Sequence, residues 1–292
     1  MMSKKSLIQY THHFLLITLK KRKDTQMMLK LGSTTRPWHT WSYDQSCKSI
    51  AQAGYEEVSV YSNAGKIPVT SASTPSEIAE TVAITKKYNL APKMLLGSPA
   101  LDLGIDDAVK DFIKLIDATS ALGCPWVMNG GTENEALHDK YFEIMRQTSP
   151  YAEKKGIQIL LKPHGGLGLS GRDLARAVEK VNNPAFRICY DPGNVIYYTK
   201  GKVRPEPDVD DVAEFVTFCI IKDCIIKDDG SPDVWVLPGE GLVDFPVVLG
   251  KLVKAGFSGP LHVECLGGSE LDDVNERALK TRKWLEKILE NL

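Results

Sequence analysis

The chain has 292 residues, 43% hydrophobic and 25% charged, which is enough apolar material to bury a sizeable core and excludes a disordered chain. With 36 basic and 37 acidic residues the net charge is -1, so no cationic field exists to hold a polyanionic backbone, and nucleic acid is not an expected partner. The six cysteines, Cys47, Cys124, Cys189, Cys219, Cys224 and Cys265, form no Cys-x-x-Cys pair and sit mostly in apolar runs, which predicts buried thiols, no structural zinc and a reducing compartment, the cytoplasm.

Residues 1–28 do not match the remainder. His13 to Leu19 is a short apolar run between Lys4-Lys5 and Lys20-Lys21-Arg22-Lys23, too short to span a bilayer and followed by no small-residue cleavage site. We read it as a disordered extension or an over-called start, and expect no membrane association.

From residue 29 onward, short apolar runs alternate with longer amphipathic ones, the rhythm of strand–helix units around a parallel sheet. The strands are expected at Leu29–Ser33, Glu57–Tyr61, Lys93–Leu96, Trp126–Asn129, Ile157–Lys162, Phe186–Asp191, Val216–Lys222 and Leu261–Cys265. Between them, Thr74-Pro75-Ser76-Glu77 reads as a capping box with proline at the first helical position, and Ile78 and Val82 start one apolar face. Val109, Phe112, Ile113 and Ile116 share a helix face that stops at Gly123, and Val274, Ala278, Leu285 and Ile288 mark the last helix. Eight such units close a (β/α)₈ TIM barrel in a single domain over 29–292 more readily than a doubly wound sheet, and no GxGxxG follows the first strand.

In such a barrel the chemistry lies where strands end, so the polar residues that close apolar runs are the candidates. Lys162 and His164 are two apart after Ile159-Leu160-Leu161 and share a side if the strand persists. Asp191 closes the sixth run and leads into Pro192-Gly193-Asn194, where it serves either the site or the turn as a cap. Lys222 closes the seventh, and Glu264, with His262 on the same face, closes the eighth. His262 lies earlier in its strand and is equally suited to a hydrogen-bonded place in the interior. Trp38 and Trp41, after the first strand, are candidates for stacking on a sugar ring, whereas Trp126 suits core packing. The glycine-rich stretch Gly165 to Gly171 reads as a flexible loop before it reads as a phosphate cradle.

Pro238-Gly239-Glu240-Gly241, then Asp244-Phe245, Leu252, Ala255-Gly256-Phe257, Gly259-Pro260 and His262-Val263-Glu264, together with Asp191-Pro192-Gly193-Asn194, resemble the xylose isomerase-like TIM barrel family of sugar isomerases and epimerases. The resemblance implies a sugar or keto-sugar isomerase or epimerase, or a related lyase, that abstracts a proton beside a carbonyl. It also implies a divalent metal, Mn, Mg or Zn, held by residues from strands five to eight. Asp191 and Glu264 match two ligand positions; Lys162 stands at the third, the histidine of the seventh strand is missing near Phe218 and Ile220, and Asn194 replaces a substrate-contacting histidine.

An ammonium does not ligate a metal, which leaves two repairs. In one, His164 joins Asp191 and Glu264 as the metal set; in the other, Lys162 replaces the metal's charge by pairing with both carboxylates. The expected roles are Glu264 as base, Lys162 and His164 as acid or oxygen-stabilising groups, and Asn194, Lys222, Trp38 and His262 as sugar-binding residues. The alternative is a metal-free sugar-binding or regulatory barrel; an abasic-site endonuclease, which needs a histidine-rich multi-zinc site, ranks last. Association into a homo-oligomer stays open.

Overall fold

Parallel hydrogen bonding carries the strands once around a closed ring. In the computed structural model, which describes residues 29–292, the barrel strands are β1 (Leu31–Thr34), β2 (Glu57–Val60), β3 (Ala91–Leu96), β4 (Trp126–Asn129), β5 (Gln158–Leu161), β6 (Phe186–Tyr190), β7 (Val216–Ile221) and β10 (Leu261–Val263). Neighbours pair in parallel in the order β1-β10-β7-β6-β5-β4-β3-β2, and β2 pairs with β1 to close the cylinder. Two short strands, β8 (Ile225–Ile226) and β9 (Pro232–Asp233), form an antiparallel ribbon in the long connection after β7. The expectation for residues 1–28 lies outside the described residues.

The helices occupy the places that their caps and periodicity dictate. They are α1 (Tyr43–Gln52), α2 (Pro75–Lys87), α3 (Ile105–Leu122), α4 (His138–Lys154), α5 (Gly171–Val181), α6 (Pro192–Thr199), the single turn α7 (Pro205–Asp208), α8 (Phe245–Lys254) and α9 (Leu271–Leu289). Before α2, the Thr74 hydroxyl accepts from the Glu77 N–H while the Glu77 carboxylate accepts from the Thr74 N–H at 2.7 Å, the reciprocal cap read from the sequence. Gly123 ends α3 with φ +83°, a left-handed turn that suits glycine. None of the described helices is long and apolar enough to cross a membrane.

Side chains alternate across each strand, so one parity faces the helices and the other the barrel axis. Val58, Val127, Ile159, Leu161, Ile188, Cys219, Ile221 and Val263 pack outward beneath the helices. The inward residues Met94, Met128, Leu160, Cys189, Phe218 and Ile220 fill the cylinder with an apolar layer beneath Tyr61. Phe218 and Ile220 therefore serve as packing where the family resemblance leads one to look for a histidine. All six cysteines are unpaired and buried.

Candidate active site

Every strand that contributes to the mouth hands over its last inward position to a polar side chain. Tyr61, Lys162, Asp191, Lys222 and Glu264 are each the first residue beyond the C-terminal end of β2, β5, β6, β7 and β10. They stand on the inward parity of their strands, one step above the apolar layer, and all are buried.

Two ammonium groups and two carboxylates interlock there. Lys162 Nζ lies 2.7 Å from Glu264 Oε2 and 3.2 Å from Asp191 Oδ2. Lys222 Nζ lies 3.1 Å from Asp191 Oδ2, pairs closely with Glu264 Oε1, and donates to Asn194 Oδ1 at 3.0 Å. The Tyr61 hydroxyl donates to Glu264 Oε2 at 3.2 Å. Two positive charges thus face two negative ones, and no net charge is buried. The two oxygens of Asp191 divide the readings that the sequence left open: Oδ1 accepts the Asn194 N–H at 3.0 Å and caps α6, while Oδ2 faces both ammoniums in ion pairs that fall short of hydrogen-bond alignment.

The local backbone makes this convergence possible. A Cβ on Gly193 would stand 2.5 Å from the Lys222 carbonyl oxygen, so glycine lets the start of α6 approach the end of β7. The Asn194 amide then bridges two loops, donating to the Pro163 carbonyl at 2.7 Å and accepting from Lys222. With the amide oxygen on Lys222 and one N–H on Pro163, Asn194 positions Lys222 and joins the two loops.

The electrostatics follow from burial set against pairing. Burial opposes the charge of Glu264, but Lys162 and Lys222 outweigh it and hold the carboxyl well below the usual range. Burial likewise opposes the charge of Lys222, and Asp191 and Glu264 outweigh it, raising its affinity for the proton well above that of a free lysine. A general base works best with a pKa near the operating pH, so a carboxylate held so firmly ionised is poorly suited to the base role expected of Glu264. Burial, then Lys162 and Lys222, pushes His164 below its ordinary 6.5 and keeps it neutral at pH 7. Its Nε2 lies 2.9 Å from the Tyr198 hydroxyl.

The metal set expected of Asp191, Glu264 and His164 does not assemble. Among the described residues no three His, Cys, Asp or Glu side chains are grouped to hold an ion. Both carboxylates are engaged by the ammoniums of Lys162 and Lys222, and the Nε2 of His164 is bonded to Tyr198. The donor set therefore does not fit the divalent metal that the resemblance implies.

Above the charged cluster opens a cavity of about 610 Å³. Lys162, Lys222, Glu264, Asn194 and His164 line it, joined by residues that no local pattern singles out: Arg36, Tyr61, Glu133, Tyr197, Tyr198 and Trp235. Two expected sugar contacts lie elsewhere. Trp38 is 0% exposed and donates from its indole to Asn275 Oδ1 at 2.9 Å, so it joins the first loop to α9. His262 lies one layer deeper than Glu264, bonded to Ser59 Oγ at 2.8 Å and to Glu57 Oε2 at 3.3 Å, inside the barrel. It is room left by Gly32, where a Cβ would stand 2.2 Å from Nε2, that admits the ring. Trp126 packs edge-on against Phe218.

The glycine loop after β5 is a packed turn. His164 N–H and Gly168 N–H bond to the Gly168 and Gly165 carbonyls, Leu167 N–H bonds to the Thr132 carbonyl, and a Cβ on Gly166 would stand 2.2 Å from that same oxygen. A second organiser was missed in the sequence: the buried Asp223 carboxylate accepts the N–H groups of Gly239, Gly241 and Val243 at 2.9, 2.9 and 3.0 Å, pinning the Pro238–Asp244 loop beside the mouth.

Comparison with known proteins agrees with this architecture. Two inosose dehydratases are similar in sequence, that of Glaesserella parasuis at 23% identity over 63% of this chain and 72% of the relative, and that of Bacillus licheniformis at 24% over 52% and 55%. Among solved structures, a xylose isomerase-like TIM barrel protein from Mycobacterium smegmatis in complex with magnesium superposes with a TM-score of 0.71 at 16% identity, covering 90% of this chain and 97% of that one. D-psicose 3-epimerase with D-tagatose from Clostridium cellulolyticum H10 gives a TM-score of 0.71 at 12% identity, covering 89% and 99%. A family model for xylose isomerase-like TIM barrels matches residues 47–288, and the chain belongs to that family.

Proposed function

We propose that the protein is an enzyme that isomerises, epimerises or dehydrates a sugar or keto-sugar by moving a proton on the carbon beside a carbonyl, with the Lys162–Lys222 ammonium pair supplying the positive charge that the resemblance assigns to a divalent ion. The observation that carries this reading is the set of oxygens that each of the two ammoniums faces. Lys222 Nζ faces three oxygens, on Asp191, Glu264 and Asn194, whereas Lys162 Nζ faces two and donates to Glu264, which leaves it N–H capacity for a substrate oxygen at the cavity floor. Inosose dehydratases and sugar epimerases among the similar proteins support the reaction class.

In this proposal a substrate carbonyl oxygen takes the free N–H of Lys162, and the charge that develops on that oxygen is stabilised by a preorganised ammonium. His164, neutral and lining the same cavity, takes the proton from the adjacent carbon on Nδ1 while its Nε2–H donates to the Tyr198 hydroxyl, and gives that proton back to a substrate carbon or to the departing hydroxyl. Asp191 and Glu264 hold both ammoniums in place. The unpaired thiols support a reducing compartment such as the cytoplasm.

Incubating ketohexoses and inosose with the protein in heavy water tests the reading by NMR. Exchange of a carbon-bound proton is expected, insensitive to chelator, and reduced by a factor of about 10²–10³ in Lys162→Met, the cost of removing one oxyanion donor. Exchange that stops on chelation and returns with metal would overturn it. The closed pairing of the four charges also favours a second reading, a metal-free sugar-binding barrel, for which binding of these sugars without any exchange is the distinguishing result.

A further inference from the structure

We propose that the substrate is a sugar acid, its carboxylate held by Arg36 against the face of Trp235; this rests on the reading of the mouth as a sugar site. The four central charges of the mouth cancel one another. Arg36, the first residue of the short helical turn after β1, stands outside that balance: it lines the cavity, and among the described residues its guanidinium has neither an ion pair nor a hydrogen bond. It lies instead over an aromatic face, the guanidinium carbon 5.4 Å from the centroid of Trp235.

That contact fixes the cation. Trp235 is 37% exposed and lines the same cavity, and His39 leans on the indole at 5.2 Å while its Nδ1 stays 3.1 Å from the Arg36 carbonyl oxygen. A guanidinium covered on one face keeps its edge, and with it a planar fork of N–H donors that matches a carboxylate in two parallel hydrogen bonds. His39, which burial and then Arg36 push below its ordinary value, stays neutral and adds no second cation.

The remaining charges do not compensate Arg36. Glu133 also lines the cavity, but it follows β4, three strands from β1 in a ring of eight, and so stands nearly across the mouth. Asp233, close to Trp235 in sequence, is paired with Lys227 at 2.8 Å. A phosphate dianion finds less here: the glycine loop after β5 has the N–H groups of His164, Leu167 and Gly168 committed to backbone carbonyls. One guanidinium matches one singly charged, planar group.

Glucose, glucuronate and glucose 6-phosphate differ only at carbon 6 and isolate the point. Titrated against the full chain and followed by indole emission, glucuronate is expected to bind about tenfold or more tighter than glucose, a gap of roughly 1.4 kcal/mol. The preference should narrow at high salt, vanish in Arg36→Gln and survive only in part in Arg36→Lys, which lacks the fork. Equal affinities, a preference for the phosphate, a preference that persists in Arg36→Gln, or no binding by glucuronate overturns the proposal. The titration reads binding alone, so a glucuronate preference without proton exchange sinks the proton-transfer reading and leaves this one standing, and exchange without the preference does the reverse.

Discussion

Lys162 and Lys222 carry the same group into the same cluster, yet their surroundings assign them different tasks. Lys222 is held by Asp191, Glu264 and Asn194, so its loss leaves two buried carboxylates with one ammonium between them. Breaking a buried pair in this way costs about 3–5 kcal/mol, and Lys222→Met should lower stability by that much in urea unfolding. A loss under about 1 kcal/mol would show the pairing to be loose. For His164, a folded pKa below 6.5 means that the neutral ring persists as pH falls past 6.5, so the acid limb of kcat/KM is expected below that value. An NMR titration, with the resonance assigned by its absence in His164→Gln, checks it; a midpoint above 6.5 contradicts it. Lys162, Asp191 and Glu264 could be read from the sequence because a polar residue closing an apolar run is visible without coordinates. The misplacement of His262 and Trp38 has a physical cause: a period of two reports which side of a strand a residue faces but not its depth along the barrel axis, and a tryptophan after a strand packs outward as readily as inward.

At the scale of elements, loops hold what the strands cannot. Asp223 gathers three N–H groups of the Pro238–Asp244 loop on one carboxylate, and Trp235 stands at the entrance to that loop. Asp223→Ala should cost about 3 kcal/mol or more, since each hydrogen bond to a charged group contributes about 1.5–3 kcal/mol, and should speed amide hydrogen exchange across 234–244. Exchange unchanged in that segment would mean that the loop holds itself. Gly241→Ala is expected to act similarly, because a Cβ there would stand 2.3 Å from Asp223 Oδ1. The capping box at Thr74 and Glu77 was legible from local chemistry, and a second one, Ser170 with Asp173, has the same form. Arg36, Tyr198 and Trp235 were not legible, because their meeting depends on how loops separated by up to about two hundred residues fold over one rim.

Across the whole molecule, the barrel brings residues 102 apart, Lys162 and Glu264, to 2.7 Å, and the cluster ties the stability of the fold to pH. A carboxyl depressed in the folded state stabilises fully above its unfolded value of 4.5, and the contribution is lost as pH falls from there toward the folded value. A lysine raised in the folded state stabilises fully below 10.5 and loses that contribution as pH rises through its higher folded value. Wild-type protein should therefore lose stability on acidification below 4.5 more steeply than Glu264→Gln, as read from urea midpoints; parallel curves would remove Glu264 from the balance. Eight strands in order were legible from hydrophobic rhythm, since closure of the barrel follows from their number. The second lysine of the cluster was read as a sugar contact, because the oxygens it faces lie at the ends of the neighbouring β6 and β10 and in the first turn of α6, and only the strand order of the folded sheet sets these beside β7. The most direct test of the two-ammonium site is a manganese titration of purified wild-type protein followed by electron paramagnetic resonance. No stoichiometric binding is expected at the mouth; one ion per chain, lost in Asp191→Asn, would contradict the account.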